Sequence, residues 1–226
     1  MKRKSDLFFA TLHALDKAGA LEDIILIGSW CHYFYRQYFK NAPEIPAVRT
    51  LDIDFLIPNP PKIKKEVNIP EILERLNFIP MHNYTTGYIK YAHPELELEF
   101  LTPDLGSGKG NEPYTIDKLH IKAQGLRFLN FLQSYVMKIT HKDITIQIPE
   151  PAAYVLHKFI IYKRRTKKQK KDKDLQASKE IGKFLLQKDE QRKRLSEIFN
   201  DLPKKWKTKI KDNLREDFPE LYELLK

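Results

Sequence analysis

Cysteine is the scarcest residue type in the sequence, since Cys31 is the only one among 226 residues. One cysteine cannot form an intrachain disulfide, and it cannot by itself build a structural zinc site. This scarcity is typical of a protein in a reducing compartment. We expect Cys31 to be a small buried side chain, as a helix-borne cysteine usually is.

Long hydrophobic runs are also absent. The longest apolar runs in the sequence, at 23–28 and 154–162, are too short or too interrupted by polar residues to span a bilayer. Residues 1–19 lack the continuous apolar core and the small-residue cleavage site of a signal peptide. We therefore expect a cytoplasmic protein without a membrane partner.

The sequence lacks the residue spacing that two common kinds of site require. The seven histidines are scattered, without the intervals that metal ligands need. The glycine-rich stretch 104–114 lacks the Gly-Lys-Ser/Thr ending of a phosphate-binding P-loop. Histidine-based metal sites and P-loop chemistry are therefore not expected.

Charge, by contrast, is abundant, and it is unevenly spread. The formal net charge is +10, and the run 163–174 contains eight basic and two acidic residues. Such a run can bind phosphates, either of a nucleotide or of RNA. The alternative is a solvated helix end without a ligand.

The pattern of apolar residues changes at Pro149. Before it the pattern predicts alternating helices and strands, and after it helices alone. We therefore predict an α/β (α+β) domain over residues 1–149, with a mixed sheet and flanking helices, and a helical domain over residues 150–226. The elements predicted before Pro149 are a helix that ends near Gly19, a helix that begins at Ser29, a helix over 69–76, and strands over 23–28, 50–58, 84–91, 96–101 and 144–149.

Two aspartates lie one residue apart in the otherwise apolar segment 50–58. Residues i and i+2 of a strand point to the same face, so Asp52 and Asp54 would emerge side by side. Two carboxylates repel each other unless that face is hydrated or a cation lies between them. The pair is a candidate ligand set for magnesium, which prefers oxygen ligands.

A third carboxylate is available in the segment 96–101, where Glu97 and Glu99 alternate with apolar residues. Both would lie on one face of a strand that could run beside the aspartate strand. Metal-dependent phosphoryl transfer generally uses such a third carboxylate. We favour Glu99, because we expect the strand to leave the sheet directly after it, and Glu97 remains the alternative.

A phosphate-binding element is predicted where the strand at 23–28 ends. Gly28 would let the backbone approach a ligand closely, and Ser29 offers a hydroxyl. The first turn of the following helix has free N–H groups that can bind an anion such as a triphosphate.

These segments, in this order, resemble the DNA polymerase β-like nucleotidyltransferase superfamily. The resemblance rests on "LIGSW", "TLDIDFLIP" and "LELEFLTP", and it continues into the helical half with "IPEPAAYVLHKFIIYKRR" and "KDLQA". It covers most of residues 24–177. The order of the segments is most similar to the bacterial and archaeal branch near the type IV abortive-infection toxin nucleotidyltransferases.

The resemblance implies a nucleotidyltransferase-type sheet and a set of site residues. It makes Gly28 and Ser29 contacts of the triphosphate, and it makes Asp52, Asp54 and Glu99 catalytic metal ligands. It also implies two magnesium ions, for which manganese could substitute. Asp52 and Asp54 would hold the ion that accompanies the triphosphate, whereas Asp54 and Glu99 would share the ion beside the acceptor hydroxyl.

The helical half adds three candidate residues. Lys158 shares a helix face with Arg165, and both could reach triphosphate oxygens; a solvated basic face is the alternative. Asp174 falls on the inward side of the next helix, where its charge needs a partner such as Lys158 or Arg165. Its alternative role is helix capping or placement in the first turn of a helix.

The expected function is metal-dependent transfer of a nucleoside monophosphate from a nucleoside triphosphate to an acceptor hydroxyl. The basic C-terminal half makes RNA, including tRNA, a candidate acceptor. Two alternatives remain: a small-molecule nucleotidyltransferase, and a non-catalytic module that binds nucleic acid or an antitoxin partner. The fold alone cannot choose among these acceptors and partners.

Overall fold

The computed structural model of the protein describes residues 2–40, 42–47, 50–106, 112–164, 166 and 168–226. Part of the glycine-rich stretch 104–114 and the candidate residue Arg165 therefore lie outside the described residues. The described chain divides into two compact units, residues 1–31 with 48–149 and residues 32–47 with 150–226.

The first unit contains the strands and the N-terminal helices. The strands are β1 (Ile25–Ile27), β2 (Asp52–Leu56), β3 (Ile79–His82), β4 (Ile89–His93), β5 (Leu96–Pro103), β6 (Tyr114–Ile116), β7 (Ile121–Leu126), β8 (Val136–His141) and β9 (Ile144–Pro149). The α-helices are α1 (Lys2–Ala18), α3 (Ile69–Arg75) and α4 (Leu129–Ser134), and the boundary between the two units falls within α2 (Cys31–Tyr38).

The nine strands of the described residues form a mixed sheet in the order β3-β4-β5-β2-β1-β9-β8, with β7 paired to β5 and β6 paired to β7. The β2–β5, β1–β9 and β5–β7 pairs are parallel, and the other pairs are antiparallel. The fold class predicted from the sequence is therefore confirmed. The parallel β2–β5 pair lies in the interior of the sheet, which is where the candidate carboxylates lie.

The two faces of the β2–β5 pair differ. On one face Ile53, Phe55, Leu98 and Phe100 are completely buried. On the other face the carboxylates occupy the first half of each strand, and the second half is apolar. That apolar half belongs to a cluster under α4 that comprises Ile25, Ile27, Leu56, Leu101, Leu129 and Leu132.

The second unit is helical over residues 150–226. Its helices are α5 (Pro151–Ile161), α6 (Lys168–Leu186), α7 (Asp189–Asp201), α8 (Lys204–Asp217) and α9 (Pro219–Leu225). The helix α5 packs against α6, α7 and α8. Its apolar stripe forms core, since none of the five side chains has exposed surface: Ala152, Val155, Leu156, Phe159 and Ile160.

Some local predictions were wrong. The predicted strand over 84–91 is the turn and second strand of a hairpin, because the Asn83 side chain accepts hydrogen bonds from the backbone N–H groups of Thr85 and Thr86, both at 3.1 Å. The strand predicted to end near Glu99 continues to Pro103, so Glu99 does not lie at its end. The segment of β8 had no predicted strand.

The prediction for Cys31 holds. Cys31 is fully buried, and its thiol lies 3.4 Å from the carbonyl oxygen of Leu26. No helix within the described ranges is long and apolar enough to cross a membrane.

Candidate active site

The parallel pairing of β2 and β5 brings four carboxylates together. Asp52 is the register partner of Glu97, and Asp54 is the register partner of Glu99. Directly paired residues in a sheet point to the same face, so all four side chains emerge on one side. The predicted pairing of the two acidic strands is confirmed, and it sets Glu99, rather than Glu97, beside Asp54.

The backbone of Gly28 lies directly against the carboxylate of Asp54. A Cβ atom placed on Gly28 would lie 2.5 Å from Asp54 Oδ2, and Gly28 has a φ of +75°. This contact follows from the antiparallel β1–β2 pair, in which Ile27 is the register partner of Asp54. Only glycine fits here, because a side chain would meet the carboxylate and would be strained by the positive φ.

Ser29 follows Gly28 in a 3-10 turn, Gly28–Trp30, that leads into α2. The helix predicted to begin at Ser29 therefore begins with a tighter turn. The structure thus brings the Gly-Ser step and the aspartate strand into contact. A triphosphate bound at this step would lie beside the carboxylate of Asp54.

Thr50 supports Asp52, although sequence reasoning missed it. The Thr50 hydroxyl donates to Asp52 Oδ2 at 3.2 Å, and the backbone N–H of Asp52 lies 3.2 Å from the same hydroxyl oxygen. A threonine two residues before an acidic residue is a common local hydrogen-bonding pattern, so its position in the sequence was the available signal.

Two further residues missed by sequence reasoning contact Glu99. Lys90 forms an ion pair with Glu99, and its Nζ also lies 3.6 Å from Glu97 Oε2. The Tyr88 hydroxyl lies 3.5 Å from Glu99 Oε2 and 3.3 Å from the carbonyl oxygen of Phe100. Tyr88 and Lys90 are two residues apart on the β4 side, and that spacing was the signal available in the sequence.

The protonation states of these two residues follow from their surroundings. Burial raises the pKa of Tyr88, and the charges of Glu99 and Asp54 raise it further, so the phenol stays neutral. Burial lowers the pKa of Lys90, but the hydrogen bond and charge of Glu99 outweigh burial and leave that pKa raised. Lys90 is therefore an ammonium ion when it contacts Glu99.

The carboxylate face has the donor chemistry of a magnesium site, but its side chains are not gathered around one point. Across the part of the chain that the structure describes, no three His, Cys, Asp or Glu side chains are grouped closely enough to hold a metal ion. Carboxylate oxygens on adjacent strands are ligands that Mg²⁺ prefers. The residues therefore fit the ion in chemistry and in register, while Glu99 contacts Lys90.

The second unit contains a buried polar group of its own. Lys158 Nζ lies 2.8 Å from Asp174 Oδ1, and the two side chains are 9% and 15% exposed. His32 Nε2 lies 2.8 Å from the Tyr154 hydroxyl, and Lys158 Nζ lies 5.4 Å from the centre of the Tyr154 ring. For Lys158 the solvated-face alternative is thus wrong.

The contacts of Lys158 also distinguish between the two roles that the sequence allowed for Asp174. Asp174 is the seventh residue of α6, beyond its first turn, so placement in a first turn is wrong. Its partner is Lys158, one of the two that the sequence suggested. The other, Arg165, lies outside the described residues. Sequence reasoning missed the contact of His32 with Tyr154.

Comparison with solved structures gives matches at low sequence identity. An antigenic nucleotidyltransferase-like protein from Paracoccidioides brasiliensis is 12% identical, with a TM-score of 0.53 over 96% of this chain and 90% of that chain. The antibiotic-resistance factor ANT(2'')-Ia is 12% identical, with a TM-score of 0.41 over 99% of this chain and 89% of that one. A tRNA nucleotidyltransferase complexed with a primer tRNA and an incoming ATP analog is 14% identical, with a TM-score of 0.26 over 90% of this chain and 59% of that one.

Sequence comparison gives a more specific result. A search of curated proteins produced no match. The profile of a family described as "Nucleotidyltransferase" matches residues 8–201, a range that includes the Gly-Ser step, the carboxylate strands and the helices α5 to α7. The chain therefore belongs to this nucleotidyltransferase family.

Proposed function

We propose that the protein is a metal-dependent nucleotidyltransferase that moves a nucleoside monophosphate from a nucleoside triphosphate to an acceptor hydroxyl. The observation that carries this proposal is the contact between Gly28 and Asp54, together with the register that sets Glu99 beside Asp54. This arrangement supports a triphosphate site and a carboxylate site that are continuous. We assign this chemistry to a catalytic domain over residues 1–149.

Each residue of the site has a proposed role. Gly28 admits the triphosphate close to the backbone, and Ser29 donates its hydroxyl to a phosphate oxygen. Asp52, oriented by Thr50, and Asp54 would hold the magnesium ion that accompanies the nucleotide, and Asp54 and Glu99 would hold a second magnesium or manganese ion near the acceptor. When bound, these ions neutralise phosphate charge and make the acceptor hydroxyl more acidic. Glu97 lies beside Asp52 and would modulate its charge.

The chain itself contributes orientation and electrostatics. The face opposite the carboxylates is fully packed, so the two strands form a rigid base that holds Asp52, Asp54 and Glu99 at a constant spacing. Such positioning, with charge neutralisation, supplies most of the catalysis in nucleotide transfer. Thr50 and Tyr88 hold individual carboxylate oxygens by hydrogen bonds.

The acceptor proposed here is RNA, with tRNA as one candidate. Between residues 150 and 226 the sequence has 22 basic and 13 acidic residues, so this stretch carries +9 of the chain's net charge of +10. A surplus of this size favours binding to a polyanion, and the affinity should fall steeply with salt. We also propose that Lys158 and Arg165 of the helical domain act toward the nucleotide, with Asp174 holding Lys158.

The protein is further proposed to lie near the type IV abortive-infection toxin branch, and to act in the cytoplasm with an antitoxin partner. The support is that "YVLHKFIIYKRR" and "KDLQA" provide Lys158 and Asp174, which form a buried ion pair. Expression of the wild-type chain should then slow growth, while the Asp52→Asn, Asp54→Asn variant should not. Equal growth with both chains would contradict the toxin assignment without affecting the transferase assignment.

Transfer itself is tested with radiolabelled nucleotides. The protein is incubated with magnesium, each labelled nucleoside triphosphate and total RNA, beside the Asp52→Asn, Asp54→Asn variant. The Asp143→Asn variant is a matched control, because Asp143 is an exposed turn residue with a φ of 65°, which asparagine tolerates. Label that enters RNA with the wild type and the control, but not with the double variant, supports the proposal.

Other outcomes point to the alternatives. Nucleotide consumption without labelled RNA would indicate a small-molecule acceptor. If the protein binds RNA but consumes no nucleotide, and if no nucleotide stabilises it in the presence of magnesium, the enzyme proposal is refuted. A binding module then remains.

A further inference from the structure

We infer that Lys90 is a positioning residue that holds Glu99 and competes with a divalent cation for that carboxylate. This inference rests on the proposed function, since it concerns the third carboxylate of the same site. Lys90 would thereby set how tightly the acceptor side of the site binds metal. The nucleotide side, formed by Asp52 and Asp54, would be affected much less.

The sheet register places Lys90 beside Glu99. In the antiparallel β4–β5 pair, Tyr91 is the partner of Leu98 and Ala92 is the partner of Glu97. One step further along the ladder, Lys90 comes next to Glu99, on the face that carries Glu97. The backbone of the sheet therefore places the base of the Lys90 side chain beside Glu99, within reach of its carboxylate.

Both oxygens of Glu99 have partners on the β4 side. Oε1 forms the ion pair with Lys90, and Oε2 lies 3.5 Å from the Tyr88 hydroxyl. The Glu99 side chain is 18% exposed, whereas that of Glu97 is 44% exposed. Because Glu99 is the less hydrated of the two glutamates, its ion pair is the less screened by solvent.

The same contact explains why the carboxylates share a face but do not form a closed group of metal ligands. A divalent ion that binds Glu99 through Oε1 must displace the Lys90 ammonium, and an ion that binds through Oε2 is still repelled by that ammonium. The ion at Asp52 and Asp54 does not have to displace Lys90, which pairs with Glu97 and Glu99, and it also binds phosphate oxygens of the nucleotide. We therefore expect two classes of metal site, a tighter one with the nucleotide and a weaker one at Glu99.

The experiment measures metal binding rather than activity. Free manganese is followed by electron paramagnetic resonance during titration of the full chain with a non-hydrolysable nucleoside triphosphate analogue. Lys90→Met should strengthen binding of the second ion by about two- to fivefold, the scale of a partly exposed ion pair. Lys90→Arg keeps the charge and should bind the second ion about as weakly as the wild type.

Lys65→Met is the matched control, since Lys65 is an exposed lysine that lies beside Gly19. It removes one positive charge from the same unit and should leave both manganese affinities unchanged. Circular dichroism without metal verifies that each variant is folded. If Lys90→Met does not fold, Lys90→Gln provides the same loss of charge with a polar side chain.

Each result bears on the inference. The inference is supported if the wild type binds two manganese ions with unequal affinities, and if the second ion binds more tightly only in Lys90→Met or Lys90→Gln. Two equal ions in the wild type, or the same second affinity in every variant, overturn it while leaving the transferase proposal intact. If neither the wild type nor the Lys90 variants bind manganese with the nucleotide analogue, the proposed metal site itself fails.

Discussion

Replacement of Gly28 by alanine should disable the candidate site with only a modest loss of stability. A Cβ atom at this position would lie 2.5 Å from Asp54 Oδ2, whereas ordinary van der Waals contact begins at 3.4 Å. The carboxylate or the backbone must therefore move by about 0.9 Å, the difference between these distances. In a positioned active site, a displacement of about 1 Å can lower the rate by about 100-fold.

Backbone strain acts separately from this clash and can be measured by itself. Gly28 has a φ of +75°, and Gly106 has a φ of +83° but no atom within 4 Å of its added Cβ. Each alanine should cost about 1–2 kcal/mol for the left-handed conformation. Gly106→Ala therefore reports the strain alone, and the excess effect of Gly28→Ala reports contact with Asp54.

The assays are urea unfolding, followed by circular dichroism, and initial rates of labelled-nucleotide transfer. We expect similar free energies of unfolding for the two variants, to within about 1 kcal/mol, and a rate lowered about 100-fold only for Gly28→Ala. Equal transfer rates for the two variants would refute the reasoning, because Asp54 would then tolerate the displacement.

Three further predictions concern acidity, a buried charge and metal. Burial, with added repulsion from Lys158, lowers the pKa of His32 to about 3 from 6.5, so between these values the unfolded chain binds more protons than the folded chain. The free energy of unfolding should therefore fall by up to about 1.4 kcal/mol per pH unit below pH 6.5. In His32→Gln, urea titrations at a series of pH values should show that this part of the pH dependence of the free energy of unfolding is lost. An unchanged pH dependence would contradict the prediction. Asp174→Asn leaves the Lys158 ammonium buried without its carboxylate and should lower the free energy of unfolding by about 3 kcal/mol, whereas exposed Asp172→Asn should change it by less than about 0.5 kcal/mol. Similar losses in both variants would show that the pair is not the cause. Chelation with EDTA should abolish transfer, and excess magnesium or manganese should restore it; transfer that persists after chelation would exclude a metal requirement.

Local patterns were sufficient to predict the candidate carboxylates. Asp52 and Asp54, and likewise Glu97 and Glu99, alternate with apolar residues, and alternation depends only on the geometry of a single strand. The Gly-Ser step was also predicted from a local pattern, its place where the strand at 23–28 ends. Helix periodicity placed Asp174 on the inward side of its helix with Lys158 or Arg165 as its candidate partner, and the structure pairs it with Lys158.

Contacts between distant segments could not be predicted in this way. Lys90 and Tyr88 contact Glu99 only because β4 pairs with β5 in one register, and β4 itself was assigned wrong boundaries. His32 and Tyr154 are 122 positions apart, so no local pattern connects them. The preference for Glu99 rested on a strand end that does not occur, and the register of β2 with β5 is what supports it.

That register also bears on how accurately the chain can fold. A slip of β5 by two residues would keep each side chain on its own face, and it would set Glu97 opposite Asp54. The slipped strand would, however, place Glu99 opposite Leu56, where Leu101 now completes the apolar cluster under α4. Burial of an unpaired carboxylate in that cluster costs several kcal/mol. The cluster therefore disfavours this slipped register and favours the alignment that sets Glu99 beside Asp54.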